Sequence, residues 1–315
     1  MIHEVIHAIR PSSSDGVKLG SKGVATLATE AEAVLRNGDL LLFEQLSLKD
    51  VPGTGIDCAK AWKKKYYGCS PICDAITGGH NDLCSLLLDL PNANVMRFCE
   101  NHAGKHSLFD VVEYCDVKTL KKFASKVPER LDLYKNSEGD TLLHAAARWN
   151  KDRIAKYLLS ECKLPVDSVN YKGETALYQA ARENSLAVIP ILIEHKAEVC
   201  KPIIDRPGHR DSSITTALHI ATFCGHVETA RLLVAAGGDV NQLDSEGQTA
   251  LHDALLNGVL IETYPRHGDP EMIQFLLAAG ADTKIEDCRG RTPYQDADRE
   301  ILIRFINFLM SYKKP

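Results

Sequence analysis

The sequence predicts an all-α chain, a solenoid of about seven to eight helix-turn-helix units with short β-type fingers and three insertions. Three observations predict it. The tetrapeptide Thr-Ala-Leu-His stands at 216–219 and again at 249–252, 33 residues apart. A Thr or Ser recurs before an apolar run at Ser70, Ser107, Thr141, Thr175, Thr216, Thr249 and Thr292, at spacings of 37, 34, 34, 41, 33 and 43 residues. Each interval is punctuated for two short helices, and one such pair cannot cover its own apolar face. Stacked neighbours can, so a fixed period of this length reads as a quasi-one-dimensional repeat.

Within a unit each element has its own reason. In the unit from Thr216 to Asp244, Thr216 precedes the apolar run and is suited to cap a helix start. Leu218, Ala221 and Thr222 recur at helical spacing, and the small residues allow close helix contact. Gly225-His226 ends that helix, and Val227 to Ala235 forms a second with Ala230, Leu232 and Leu233 on its buried side. Gly237 and Gly238 supply a left-handed stop. Asp239-Val240-Asn241 leads into an extended finger, and Ser245-Glu246-Gly247 turns the chain into the next unit.

These units resemble ankyrin repeats, whose pattern is G-x-T-P-L-H-x-A-A-x-x-G-H, a leucine pair, then G-A-D-V-N. The segments EGDTLLHAAA, KGETALYQAA, SITTALHIAT and EGQTALHDAL carry the resemblance well from Glu138 to Asp287. CSPICDAITGGHNDLCSLLL (69–88) carries it moderately, and HSLFDVVEYCDVKTLKKFASK (106–126) weakly. The resemblance implies a tail or partial cap at 1–26 and a repeat domain at 27–315. That domain comprises a cap at 27–48, an insertion at 49–68, repeats at about 69–101, 104–136, 138–170, 172–205, 214–244 and 247–284, and a C-terminal cap at 290–315. It also implies that the Thr and His side chains fix the turn between units. His144, His219 and His252 then need no catalytic or metal role, nor do His80 and His226 at the inter-helix turns.

Composition narrows the function. Net charge is −5 among 315 residues, so no global basic field attracts nucleic acid. No window holds 18 uninterrupted apolar residues, and the opening MIHEVIHAIRPSSSDG lacks the basic start and long apolar core of a secretory leader. The ten cysteines are dispersed with no C-x-x-C pair, which suits buried thiols in a reducing compartment. Cytoplasm is therefore the expected location. Divergent, cysteine-rich chains of this kind also resemble effectors that intracellular bacteria deliver into host cells, which would place it in host cytoplasm or nucleus.

Departures from the repeat are the candidate contact elements. The 49–68 insertion sets Lys60, Lys63, Lys64 and Lys65 beside Trp62, Tyr66 and Tyr67, the composition of a phosphate or nucleic-acid contact, of a solvated helix whose aromatics pack on the adjacent repeat, or of a basic surface for an acidic protein partner. The finger at 200–214 is several residues too long and brings Ile203, Arg206 and Arg210. The stretch 258–268 separates two helices and carries Leu260, Ile261 and Tyr264, too apolar for an idle loop. Lys196 stands where the repeat has glycine, and Pro190 falls inside a second helix, where a kink is expected.

The resemblance implies that first helices and fingertips build a concave wall. Position by position, that wall takes Ala145, Gln179, Ile220 and Asp253 after the His place. Arg148, Trp149, Arg182 and Phe223 stand near the helix ends, and Tyr134, Tyr171, Lys172 and Leu243 at the tips. Trp, Tyr and Arg are the types enriched at interface hot spots. The expected partner-binding set is Tyr134, Arg148, Trp149, Tyr171, Arg182, Ile203, Arg206, Ile220, Phe223 and Tyr264, and the expected partner is a protein bound by a monomer. LVAAGGDVN (233–241) resembles the site that asparagine hydroxylases use in ankyrin fingers, which makes Asn241 a candidate modification site. No phosphate loop, zinc spacing or nucleophile elbow is present, so no catalytic, metal or cofactor residue is assigned. The competing reading is an enzyme or small-ligand site formed by the insertions.

Overall fold

The computed structural model describes residues 75–89, 107–127, 130–204, 214–255, 270–297, 303 and 306. The chain divides into two compact units, 1–130 and 131–315. In the first, α1 (Asn81–Asp89), α2 (Ser107–Tyr114) and α3 (Val117–Ala124) enclose Cys84, Leu88, Leu108, Val111, Val112, Leu120 and Phe123. The helix starts are tied together. Asp116 caps α3 by accepting from the Thr119 N–H at 2.8 Å, and Asn81 Oδ1 accepts from the Asp116 N–H at 2.8 Å and the Thr119 hydroxyl at 2.9 Å.

The second unit is a stack of helix pairs. They are α4 (Leu142–Arg148) with α5 (Asp152–Ser160), α6 (Ala176–Arg182) with α7 (Ile189–Glu194), α8 (Ala217–Phe223) with α9 (Val227–Ala235), and α10 (Ala250–Leu255) with α11 (Pro270–Ala278). A short α12 (Pro293–Asp296) follows. Each first helix packs on the next first helix, from α4 through α6, α8 and α10 to α12, and the second helices form a parallel row. The alanines at 146, 147, 180, 181 and 221 are wholly buried and let the first helices approach closely. Leu142, Leu143, Leu158, Leu177 and Leu192 fill the space between rows, each stabilising by roughly 1.5–3 kcal/mol.

Between pairs the chain runs out and back as a finger. One Asn or Asp organises each of the four described tips, five residues before the capping Thr. Asn136, Asn170, Asp244 and Asp287 each accept two backbone N–H groups, from the residues two and four positions later, at 2.8–3.0 Å. An Asx side chain that bonds onward in this way is a turn with a mechanism. Neighbouring tips are joined by single backbone bonds: Tyr171 N to Glu138 O at 2.9 Å, Ser245 N to Ile214 O at 3.0 Å, and Cys288 N to Glu246 O at 2.8 Å. The longer finger pairs β1 (Ile203–Ile204) with β2 (Ile214–Thr215) in antiparallel register.

Lys196 holds φ 67° and Gly237 φ 95°, the left-handed positions expected of them. Pro190 does not kink its helix. Residues 185–188 form a turn and α7 begins at Ile189, so the proline falls in the first helical turn, where no N–H is required. The result is a second helix of 6 residues where α5 and α9 each have 9. The insertions at 49–68 and 258–268 lie outside the described residues, as does most of the long finger.

Candidate functional site

The repeated histidines are joints. At Thr141 the backbone N–H donates to His144 Nδ1 at 3.1 Å, so the proton sits on Nε2, which donates to Glu174 O in the next repeat at 2.9 Å. His252 repeats this, with Thr249 N at 3.0 Å and Arg291 O at 3.2 Å. His219 bonds Thr216 Oγ1 at 2.7 Å and Gln248 O at 3.2 Å. Where the histidine is replaced the cap survives. Gln295 Oε1 accepts from the Thr292 N–H at 2.9 Å, and Thr175 Oγ1 accepts from the Tyr178 N–H at 3.2 Å. Burial holds His144 and His219 below the ordinary imidazole pKa, in the neutral form these bonds need.

Beside the first two joints lies a buried ionic ladder. Asp140 Oδ2 accepts from Arg148 at 2.8 Å, and Oδ1 accepts from Asn170 at 2.8 Å and Gln179 at 3.0 Å. One repeat on, Glu174 Oε1 accepts from Arg182 at 2.6 Å, while Oε2 accepts from Asn170 at 3.0 Å and Gln179 at 3.2 Å. Burial pushes both carboxyls up. Hydrogen bonds from Asn170 and the adjacent guanidiniums more than offset it, and both titrate below the usual range. The acid and arginine stand eight residues apart in each repeat, on either side of the capping Thr.

This ladder revises part of the expected contact set. Arg148 and Arg182 stay partly exposed, at 28% and 23%, but their guanidiniums neutralise buried acids. Gln179, expected on the wall, is wholly buried as a donor to both carboxylates. Tyr134 and Ile203 are corrected outright. Tyr134, directly after the turn Leu131–Leu133, is buried, and so is Ile203 on β1. Arg206 and Tyr264 lie outside the described residues.

What faces outward is more selective. Tyr171 is 67% exposed at a fingertip where the other repeats place Ser137, Ser245 and Cys288. Its ring rests on Gly139, where a β-carbon would come within 2.7 Å of the ring. Trp149 caps the end of α4 and is 47% exposed, and Leu243 beside the Asp244 tip is 48% exposed. Ile220 and Phe223 are half-buried along α8. Asp253 on α10 is half-buried, and its carboxyl is held above the ordinary range by desolvation, then by the negative charges of Asp244 and Glu246.

Asn241 is a strut. Its amide donates to Gly280 O at 3.2 Å and accepts from the Asp282 N–H at 2.8 Å, bridging to the following finger. The pair Ser160 and His195 has the outline of a nucleophile and base, with Oγ to Nε2 at 3.1 Å and Nδ1 donating to Ile191 O at 2.9 Å. It joins the C-terminal ends of α5 and α7, where helix carbonyls rather than N–H groups converge, so the surroundings oppose an oxyanion. Among the described residues no three His, Cys, Asp or Glu side chains converge as a metal ion requires. No helix among them is long and apolar enough to cross a membrane.

A family model described as Ankyrin repeats (3 copies) matches residues 108–203 and 195–287. The chain belongs to the ankyrin repeat family. Members of this family are protein–protein interaction modules. The E3 ubiquitin-protein ligase KEG of Arabidopsis thaliana is 30% identical over 120 residues, 38% of this chain and 7% of the ligase. An ankyrin repeat protein of Rickettsia felis is 29% identical over 141 residues, 45% of this chain and 44% of that protein. The chain thus spans less than half the length of these relatives. The solved ankyrin repeat domain of Bcl-3, a member of the IkappaB protein family, superposes with a TM-score of 0.53 at 20% identity, covering 76% of this chain and 98% of that one. That likeness concerns the fold.

Proposed function

We propose that the chain is an adaptor that holds one protein partner against its first helices and fingertips. The observation that carries this is Tyr171, a large aromatic 67% exposed and seated on Gly139, at a tip where sister repeats have Ser or Cys. A fixed aromatic with little conformational entropy left to lose is what a binding hot spot requires. Trp149 and Leu243 extend the same outward set, and Ile220 and Phe223 add half-buried apolar surface. Arg148 and Arg182 contribute as partly exposed rims of the buried ladder. The long finger and the 258–268 insertion supply Arg206 and Tyr264. The adaptor works as a monomer in cytoplasm, without a cofactor and without nucleic acid, in keeping with its charge of −5.

Proximity labelling followed by co-purification identifies the partner. Tyr171→Ala and Trp149→Ala should each weaken retention at least tenfold while leaving the thermal midpoint within about a degree, since exposed substitutions change stability by no more than about 0.5 kcal/mol. Retention unchanged in the double variant would end this reading. For Asn241, hydroxylation is proposed on the finger motif alone, and peptide mass spectrometry showing no added oxygen after exposure to an asparagine hydroxylase would refute it.

A further inference from the structure

Two thiols in the first unit stand in contact without being bonded. Cys84 lies midway along α1 and is wholly buried, and Cys115 directly follows α2 and is 4% exposed. Neither is in a disulfide. The Cys84 and Cys115 side chains are hydrogen-bonded to each other, and Cys115 Sγ also reaches the Ile76 carbonyl at 3.9 Å. The two are 31 residues apart in sequence. They sit on opposite sides of the segment 90–106, so a bond between them would close that segment into a loop. We propose that Cys84 and Cys115 form a redox-sensitive dithiol, which closes to a disulfide and locks α1 onto the α2–α3 pair.

The chemistry balances with a small disulfide such as oxidised glutathione as the oxidant. One protein thiol loses its proton and attacks the glutathione disulfide, forming a mixed disulfide and releasing one glutathione thiolate. The second protein thiol, deprotonated in turn, attacks the protein sulfur of that mixed disulfide and releases the second glutathione. Two protein thiols are oxidised and one glutathione disulfide is reduced to two thiols, the two protons passing to the released glutathione. The thiolate is the attacking species. The hydrogen bond with Cys115, and after it burial, hold Cys84 protonated, so the closed helices protect the pair from casual oxidation. Exchange then requires α1 to open, and the disulfide that follows constrains the reopened chain.

The test uses the full chain, fully reduced and then equilibrated in glutathione buffers of graded potential under native conditions. Non-reducing digestion and mass spectrometry should find one dominant cross-link, Cys84 to Cys115. Amide exchange in 81–89 and 107–124 should slow at least tenfold in the oxidised form. Cys115→Ser should abolish the cross-link and the slowing together. Should that variant fold poorly, the wild-type titration decides alone. The proposal is overturned if the two cysteines remain reduced in the most oxidising buffer, if other pairs form first, or if the cross-link leaves amide exchange unchanged.

Discussion

The repeats at 136–182 and at 214–255 use the same joints but fill the space beside them differently. In the earlier pair, the place before the capping Thr is acidic (Asp140, Glu174) and an arginine eight residues later (Arg148, Arg182) answers it. In the later pair that place holds Thr215 and Gln248, and Phe223 stands where the arginine would be. The first solution orders its side chains through a dense set of hydrogen bonds. The second leaves Phe223 half-buried and strands Asp253 among like charges. The same joint is thus packed by two different chemistries along one stack.

Breaking the ladder should give the largest effect. Asp140→Ala strips Arg148 of its carboxylate and takes from Asn170 and Gln179 one of the two carboxylates they bridge, and should cost about 3–5 kcal/mol in urea unfolding. Gln248→Ala in the later repeat should cost no more than about 1 kcal/mol. If the two costs are equal, the contrast between the regions is wrong. Next, Gly139→Ala strains a φ of 79° and collides with the Tyr171 ring, whereas Gly237→Ala at φ 95° meets open space. Calorimetry should show the first costing about 2–3 kcal/mol and the second about 1–2.

His219→Ala removes a bond to the next repeat and should cost about 2 kcal/mol. Acidification sharpens this. His144 and His219 have folded pKa values below the ordinary 6.5, so the unfolded chain takes up protons first. Their contribution is whole above about pH 6.5 and is lost as pH falls toward the folded values. Asp140 and Glu174, also depressed, lose theirs at lower pH still, below the ordinary 3.8 and 4.5. The thermal midpoint should therefore fall in two stages, and His219→Ala should flatten the first. The smallest effect has the opposite sign. Asp253 is raised in the folded chain, so its charged form opposes folding once pH exceeds the ordinary 3.8. Asp253→Asn should raise the midpoint at pH 7 by a few degrees and have no effect near pH 3.

The joints were legible because a capping Thr and its imidazole partner sit at fixed offsets from helix starts, so period and chemistry coincide. Lys196 was legible for the same reason. The turn-forming Asn136, Asn170, Asp244 and Asp287 were written at an equally fixed offset, and the acid–arginine spacing was duplicated at 34 residues, yet neither belongs to the four-letter signature that draws the eye. Tyr134, Ile203 and Gln179 were misplaced because a position within a repeat tells which side of the helix or finger a residue occupies. It does not tell whether the neighbouring repeat closes over it. Pro190 was misread because the turn at 185–188 delays the helix, and that delay comes from Ser185, whose buried hydroxyl bonds the Ala147 carbonyl of the preceding repeat.

Each imidazole belongs to one repeat by its Nδ1 and to the next by its Nε2. Protonation takes Nδ1 away as an acceptor and leaves the Nε2 donor in place, so it is removal of the ring that severs the coupling between units rather than the units themselves. His219→Ala should therefore erode cooperativity before it erodes helix content. The denaturant slope should shallow and the single transition broaden into several, as beads part along a string whose beads are still intact.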